Sequence, residues 1–313
     1  MSERPDVARY FSRNARGWMA RAYGEGGFPS SYPVGSQRLR LTLEAVVERL
    51  GGAVGHLVDL GCGGGELAVQ AAALGFGVTA VDIAPGMIEE AGTRRAALTQ
   101  EAQRRLRLQV GDVLDSGLAA GAADAVTAIG LVEYLPGDAA FFREAARLLR
   151  PGGVLVMSCR NRLFNLASLN DYTRGEIDEG AAVRLLAELG SFPLDGAVRD
   201  RLKDFVARLR EALPDLEAAL GEDLEESARG GAAEGFAGRR RQHTPAEVRE
   251  AAAAAGLSDA AFLGVHPHPF PPAVESLAPR FYNRLAVAYE ALEAAPASLG
   301  WSSAFLAVFT RQP

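Results

Sequence analysis

Between residues 55 and 160, short apolar runs alternate with helical stretches, and no other feature of the chain narrows its fold as much. His56-Leu57-Val58-Asp59-Leu60 is an apolar run halted by glycines, which reads as a buried strand. Glu66 to Leu74 has helical character and stops at Gly75. Gly77 to Asp82 is the next strand, and Pro85 opens a helix through Met87, Ile88 and Ala91. Proline suits a first helical turn because its missing N–H has no partner there. Leu106 to Val110 and Ala123 to Ile129 read as further strands, and Ala140 to Leu149 as a helix. Pro151-Gly152-Gly153 then reads as a turn into the strand Val154 to Ser158. Strands joined through helices predict an α/β fold, a parallel sheet covered on both faces with right-handed crossovers.

After Asn161 the pattern changes. Residues 181 to 220 read as helical, with Val198, Leu202, Phe205, Leu209 and Leu213 at helical spacing. Residues 221 to 238, acidic and then rich in Gly and Ala, read as a loop. Thr244-Pro245-Ala246-Glu247 has the residues of a capped helix start. Ala260 to Val265 and Ala304 to Phe309 read as the last strands, separated by an amphipathic helix from Leu277 to Leu292. Residues 162 to 240 thus read as an insertion over the carboxyl edge of the sheet, where α/β folds bind ligands.

Composition sets outer limits. With 313 residues, 48% of them hydrophobic, the chain has ample material for a core. A net charge of -6 argues against a general nucleic-acid binder, which needs a basic face. No run approaches membrane-spanning length, and residues 1 to 16 lack the apolar segment of a signal peptide, so a cytoplasmic location with no membrane partner is expected. Lys203 is the only lysine, which argues against a lysine nucleophile. Cys62 and Cys159 are too few for a disulfide framework or a zinc site and read as small buried hydrophobes.

The chemistry concentrates in Asp59-Leu60-Gly61-Cys62-Gly63-Gly64-Gly65. Glycines there let the backbone turn sharply and approach a ligand with no Cβ in the way. Gly63, Gly65 and Ala68 fit the glycine spacing of dinucleotide-binding turns, which keeps an NAD-dependent oxidoreductase or epimerase open as an alternative. A carboxylate just upstream serves a pyrophosphate poorly, however. Asp59 suits a ligand with a cationic amino group.

Val58 to Gly65 resembles the first motif of class I S-adenosylmethionine-dependent methyltransferases. Asp82, Gly111-Asp112-Val113, Gly130-Leu131-Val132-Glu133-Tyr134 and Leu148-Leu149-Arg150-Pro151-Gly152-Gly153 follow in that family's order. The resemblance implies a Rossmann-like, seven-stranded, mostly parallel sheet with helices on both faces. It also implies an N-terminal helical cap (1–50), a cofactor-binding core (51–161), an inserted helical substrate lid (162–240) and a C-terminal completion of the sheet (241–313). It assigns S-adenosylmethionine as cofactor, with Gly61, Cys62 and Gly63 at the methionine portion and Asp59 near its ammonium. Asp82 would hold the ribose, Ile83 and Met87 would pack on adenine, Asp112 and Val113 would meet the base edge, and Gly130 would lie beside the methyl donor.

The expected reaction is methyl transfer to a small, anionic metabolite, oxygen being the favoured acceptor atom and S-adenosylhomocysteine the product. Aminocarboxypropyl transfer and cyclisation are the alternatives on the same cofactor. His243 and His268, each placed to reach the carboxyl edge, are the candidate bases, with Glu133 beside the donor. His56 starts the first strand, at the opposite edge, and reads as structural. No spacing among the histidines supports a metal site. Arg160, Asn161 and Arg241, the last within Arg239-Arg240-Arg241, are candidates to bind the anion, since guanidinium forks match carboxylate and phosphate. Tyr10 and Tyr32, in the aromatic N-terminal stretch that also holds Tyr23, are candidate acceptor contacts. Residues 160 to 173 are similar to a bacterial methyltransferase subgroup found with polysaccharide and secondary-metabolite genes.

Overall fold

Side chains along the central strands alternate between two apolar faces, so the sheet has to be covered on both sides. In the computed structural model, which describes residues 4–23, 27–193, 198–226 and 240–313, it is. Helices α1 (Arg4–Tyr23) and α2 (Val34–Leu50) come first. Then follow β1 (His56–Leu60), α3 (Glu66–Leu74), β2 (Gly77–Asp82), α4 (Pro85–Ala96), α5 (Gln100–Arg105), β3 (Leu106–Val110), β4 (Ala123–Ile129), α6 (Asp138–Leu148) and β5 (Leu149–Arg160). Helices α7 (Asn165–Ser168), α8 (Asp171–Asp178), α9 (Ala182–Gly190) and α10 (Val198–Glu226) lead to α11 (Pro245–Ala253) and β6 (Leu257–Pro267). Helices α12 (Pro272–Leu277) and α13 (Pro279–Tyr289) precede β7 (Ser302–Arg311).

The sheet has seven strands in the order β3-β2-β1-β4-β5-β7-β6. The first five are mutually parallel, whereas β7 runs antiparallel between β5 and β6. On one face Val58, Leu60, Leu155, Met157, Phe305 and Phe309 pack with Phe141 and Leu148 of α6 and Val248 of α11. On the other, Leu57, Val78, Val156, Leu306 and Val308 pack with Leu39 and Val46 of α2 and Leu67 of α3. Cys159 is fully buried in the first cluster, while Cys62 is half-buried. Helix α1 lies across α4: a Cβ on Gly86 would fall 2.5 Å from the Ser12 carbonyl oxygen, and one on Gly64 2.8 Å from Met19.

Several local expectations need correction. The helix expected over 181–220 is two helices, because α9 ends at Gly190 and Pro193 follows. Residues 221–226, expected as loop, extend α10. Their acidity misleads because Asp223 is buried, accepting from the Phe281 amide at 2.9 Å and from Arg280 at 3.1 Å. It thus sits at the start of α13, where a carboxylate favours the helix dipole. Residues 227–238 of that loop lie outside the described residues. The helix expected over 277–292 is divided at Pro279, which opens α13. Pro151-Gly152-Gly153 is drawn into β5, whose register against β4 shifts there. The capped start at Thr244 is present, with Thr244 Oγ1 accepting from the Glu247 amide and Glu247 from the Thr244 amide.

Candidate functional site

The chain leaves β3 at one edge of the sheet and re-enters at β4, beside β1. Strand order reverses between those two neighbours, and the crevice at their carboxyl ends is where such sheets take ligands. A narrow cavity lies there. Gly61, Asp82, Ile83, Asp112 and Val113 line it from the strand ends, Leu131, Tyr134 and Leu135 from beyond β4, and Val7 from α1. Five of the expected cofactor residues therefore meet around one space.

The bend after β1 has specific backbone needs. Gly61 takes φ +69°, and a Cβ there would fall 2.8 Å from Leu131. Its amide and that of Cys62 donate to the Val81 carbonyl at 2.8 and 3.1 Å, tying the bend to β2. Asp82 holds the other side, accepting from the Gly63 amide at 2.9 Å and the Ala84 amide at 2.8 Å. Burial pushes its carboxyl upward against those amides. Asp59 lies deeper, 3% exposed, accepting from Thr127 Oγ1 at 2.8 Å across the β1–β4 pair. Burial raises its carboxyl to about 7, opposed by the Thr127 bond and aided by Asp82. The Cys62 thiol is pushed up by burial and by both carboxylates. Met87 is buried between α1 and α4 with Ala15 and Met19. Gly130 takes φ +64°, with an Arg38 guanidinium nitrogen 3.1 Å from where its Cβ would stand.

The expected acceptor residues fall into separate groups. His243 is buried and hydrogen-bonds Asp138 through Nε2 at 3.0 Å, and its Nδ1 has no partner among the described residues. Its amide donates to the Arg160 carbonyl, which places it at the end of β5. Arg241 also grips Asp138, through two bonds of 2.8 and 2.7 Å. Asn161 is fully buried, its amide donating to the carbonyls of Leu299 and Ser302. Glu133 is buried, with Oε2 unpartnered among the described residues. His268 lies elsewhere, against His266 and Phe164, and burial lowers it to about 4. Tyr32 donates to Glu290 at 2.7 Å and stacks on His266. Half-buried Tyr10 packs on Phe11, whose ring meets Tyr134 at the cavity. His56, at the opposite sheet edge, bonds Thr79. Arg239 lies outside the described residues.

Sequence reading missed Arg38, Leu135 and Val7, whereas Leu131 lies in the segment after β4 that the family resemblance singles out.

Asp138 makes a pH prediction. Burial works to raise its carboxyl, but the hydrogen bonds and charges of His243 and Arg241 outweigh it and hold the group below its ordinary range. A depressed folded-state value stabilises fully above the unfolded value of about 3.9 and is lost as pH falls through the lower one. Urea midpoints from pH 7 to 3 should therefore fall less steeply in Asp138→Asn than in the parent, from a lower starting point. Parallel curves would refute the assignment.

A family model described as a methyltransferase domain matches residues 58–157. The ubiquinone biosynthesis O-methyltransferase of Xanthomonas axonopodis pv. citri (strain 306) is 41% identical over 120 residues, 38% of this chain and 49% of that protein. Its counterpart in Xanthomonas oryzae pv. oryzae (strain PXO99A) is 40% identical over the same share. The chain spans about half the length of the curated relatives it matches. Among solved structures, geranyl diphosphate C-methyltransferase from Streptomyces coelicolor A3(2), bound to Mg2+, geranyl-S-thiolodiphosphate and S-adenosyl-L-homocysteine, aligns at TM-score 0.53 with 16% identity, covering 98% of this chain and 97% of that one. Phosphoethanolamine N-methyltransferase 2 of Haemonchus contortus, with phosphomonomethylethanolamine and S-adenosylhomocysteine, aligns at 0.50 with 14% identity, over 98% of this chain and 59% of that one. These two share the fold. With the motif order, the crevice at the strand reversal and the family match in agreement, the chain carries in residues 58–157 a domain of the class I, Rossmann-like S-adenosylmethionine-dependent methyltransferases.

Proposed function

We propose that this protein transfers a methyl group from S-adenosylmethionine to an oxygen of a small, anionic acceptor. The observation that carries the cofactor half is the meeting of Gly61, Asp82, Ile83, Asp112 and Val113 around one cavity at the β1–β4 crevice. When bound, S-adenosylmethionine supplies a methyl group on an activated sulfonium. The chain's own residues bind, orient and exclude water. Asp82 takes the ribose hydroxyls on lone pairs left beside its two backbone bonds, and Asp59 faces the ammonium. The cavity is about 50 Å³, and α1, whose Val7 forms one wall, is the proposed cap over it.

An anionic acceptor is supported by Arg38 and Arg160. Both guanidiniums lie within electrostatic reach of Tyr134 at the cavity, and the buried Arg38 Nε has no partner among the described residues. Oxygen is favoured because the Xanthomonas relatives are named as O-methyltransferases. His243 has the arrangement of an oriented base, one nitrogen held by Asp138 and the other unpartnered among the described residues. Such a base contributes ~10²–10⁴-fold. Helices α7 to α10 are the proposed substrate lid.

The deciding experiment incubates the purified protein with methyl-labelled S-adenosylmethionine and a panel of carboxylated phenols and other hydroxylated anions, with products read by mass spectrometry. Labelled methyl ether and S-adenosylhomocysteine are expected. Methylthioadenosine would replace methylation with aminocarboxypropyl transfer. Uptake of a nicotinamide dinucleotide in place of the sulfonium nucleoside would defeat the reading altogether.

Asp59 adds a pH signature. A carboxyl near 7 is largely protonated below neutrality and must lose its proton to face a cation, so cofactor affinity should rise with pH up to neutrality. Below pH 7, calorimetry with S-adenosylhomocysteine should show up to about tenfold loss per pH unit, one proton being released on binding. Asp59→Asn should flatten that slope.

A further inference from the structure

At the same carboxyl edge, beyond β5 and β7, lies a cluster that the methyl-transfer reading does not use. Val265 of β6 and Arg160 of β5 both pair with Ala304 of β7, so the residues leaving β6 emerge alongside the end of β5. The geometry points to a divalent transition-metal site there, ligated by His266 Nε2, His268 Nδ1 and the Glu275 carboxylate.

The donor atoms lie within 4.8 Å of one another. His266 Nε2 is 3.9 Å from Glu275 Oε1, and His268 Nδ1 is 4.0 Å from Oε2. Metal–ligand bonds of 2.0–2.1 Å in a tetrahedron put neighbouring donors ~3.3 Å apart. The two His–Glu separations close with shifts under an ångström, and the widest pair of donors with about 1.5 Å shared between two side chains.

Further observations support a ligand. His266 Nε2 and both ring nitrogens of His268 are buried with no partner among the described residues, a state native proteins rarely leave uncompensated. The rings are fixed: Tyr32 stacks on His266 at 4.6 Å and 16°, and Phe164 and Tyr282 enclose His268 at 4.5 and 5.5 Å. His266 Nδ1 meets Ser303 Oγ at 2.9 Å, and that hydroxyl donates to the His266 carbonyl. In the tautomer in which Nδ1–H donates to that hydroxyl, the Nε2 lone pair faces Glu275, the outer bond that commonly orients a ligating histidine. His266 also holds φ +54°, a strained value for a histidine, with its amide bonded to Gln37 Oε1 at 2.8 Å.

The donor set also selects the ion. Two imidazoles and one carboxylate suit Zn2+, Fe2+ or Co2+, whereas Mg2+ and Ca2+ favour oxygen donors. Three protein ligands leave open positions, as in catalytic rather than structural zinc sites.

The test needs no turnover, so it stands apart from the methyl-transfer reading. Chelator-stripped protein is titrated with Co2+ by visible absorption, and with Zn2+ against a chromophoric chelator. One equivalent should bind, with the intense ligand-field bands of four- or five-coordinate Co2+, and Mg2+ should not compete. His268→Ala and Glu275→Gln should each weaken Zn2+ by no less than the ~10–100-fold that loss of an outer-shell partner costs. Should His268→Ala fail to fold, Glu275→Gln carries the test, because α12 has no buried residue. A pale six-coordinate Co2+ spectrum, or Zn2+ affinity unchanged in Glu275→Gln, would overturn the site.

Discussion

Replacing Asp82 with alanine is expected to weaken S-adenosylhomocysteine binding by about 100-fold, or ~2.7 kcal/mol, with the fold intact. The carboxylate stands at the end of β2 and serves both partners of the crevice. Toward the protein it accepts from the amides of Gly63 and Ala84, which sets the glycine bend against the start of α4. Toward the ligand it offers its remaining lone pairs to the ribose. Alanine removes both at once and leaves two amides to water. Asp82→Asn keeps one acceptor oxygen and should lose only about tenfold. Calorimetry on both variants separates these contributions. An Asp82→Ala protein that binds like its parent would show that the ribose lies elsewhere.

Glu144→Ala is expected to be the most destabilising of the substitutions considered, at about 2–3 kcal/mol by urea unfolding. Glu144, on α6, is 6% exposed. Its carboxylate accepts from the Ser116 amide at 3.1 Å and hydroxyl at 2.5 Å, and from Arg147 at 2.7 and 2.8 Å. Burial works to raise the carboxyl, but these bonds hold it low and ionised. Arg147 is 38% exposed, so water recovers part of what it loses, which keeps the cost below that of a fully buried pair. The effect should reach the crevice too. Ser116 ends the turn that begins at Asp112, so loosening it frees the base-edge residues Asp112 and Val113. Hydrogen exchange should quicken over residues 111–118 in Glu144→Ala, together with weaker nucleoside binding. Normal protection there would show that the turn holds itself.

The two variants probe different levels of legibility. Asp82 is readable from sequence because its position follows from a local rule, an acid ending an apolar strand just before a proline-opened helix. Glu144 is not, since an acid on an amphipathic helix looks like any solvated charge until Ser116 is folded onto it. The same difference explains the errors after residue 161. Acidic residues 222–226 carry the composition of a loop, and only Asp223 docking on α13 makes them helix. Arg241 has the sequence of a free cationic run, yet Asp138 holds it with two bonds.

The order of strands and helices, the glycines at positive φ and the acids at the strand ends were determined by the sequence, because each depends on neighbours within a few residues. Tertiary structure alone decided which distant side chains share a space: Arg38 beside Gly130, Asp138 between Arg241 and His243, and Glu275 folded back toward His266 and His268. Those meetings depend on how the helices pack over the sheet edge, and packing sums weak contacts across the whole chain, which no local pattern encodes.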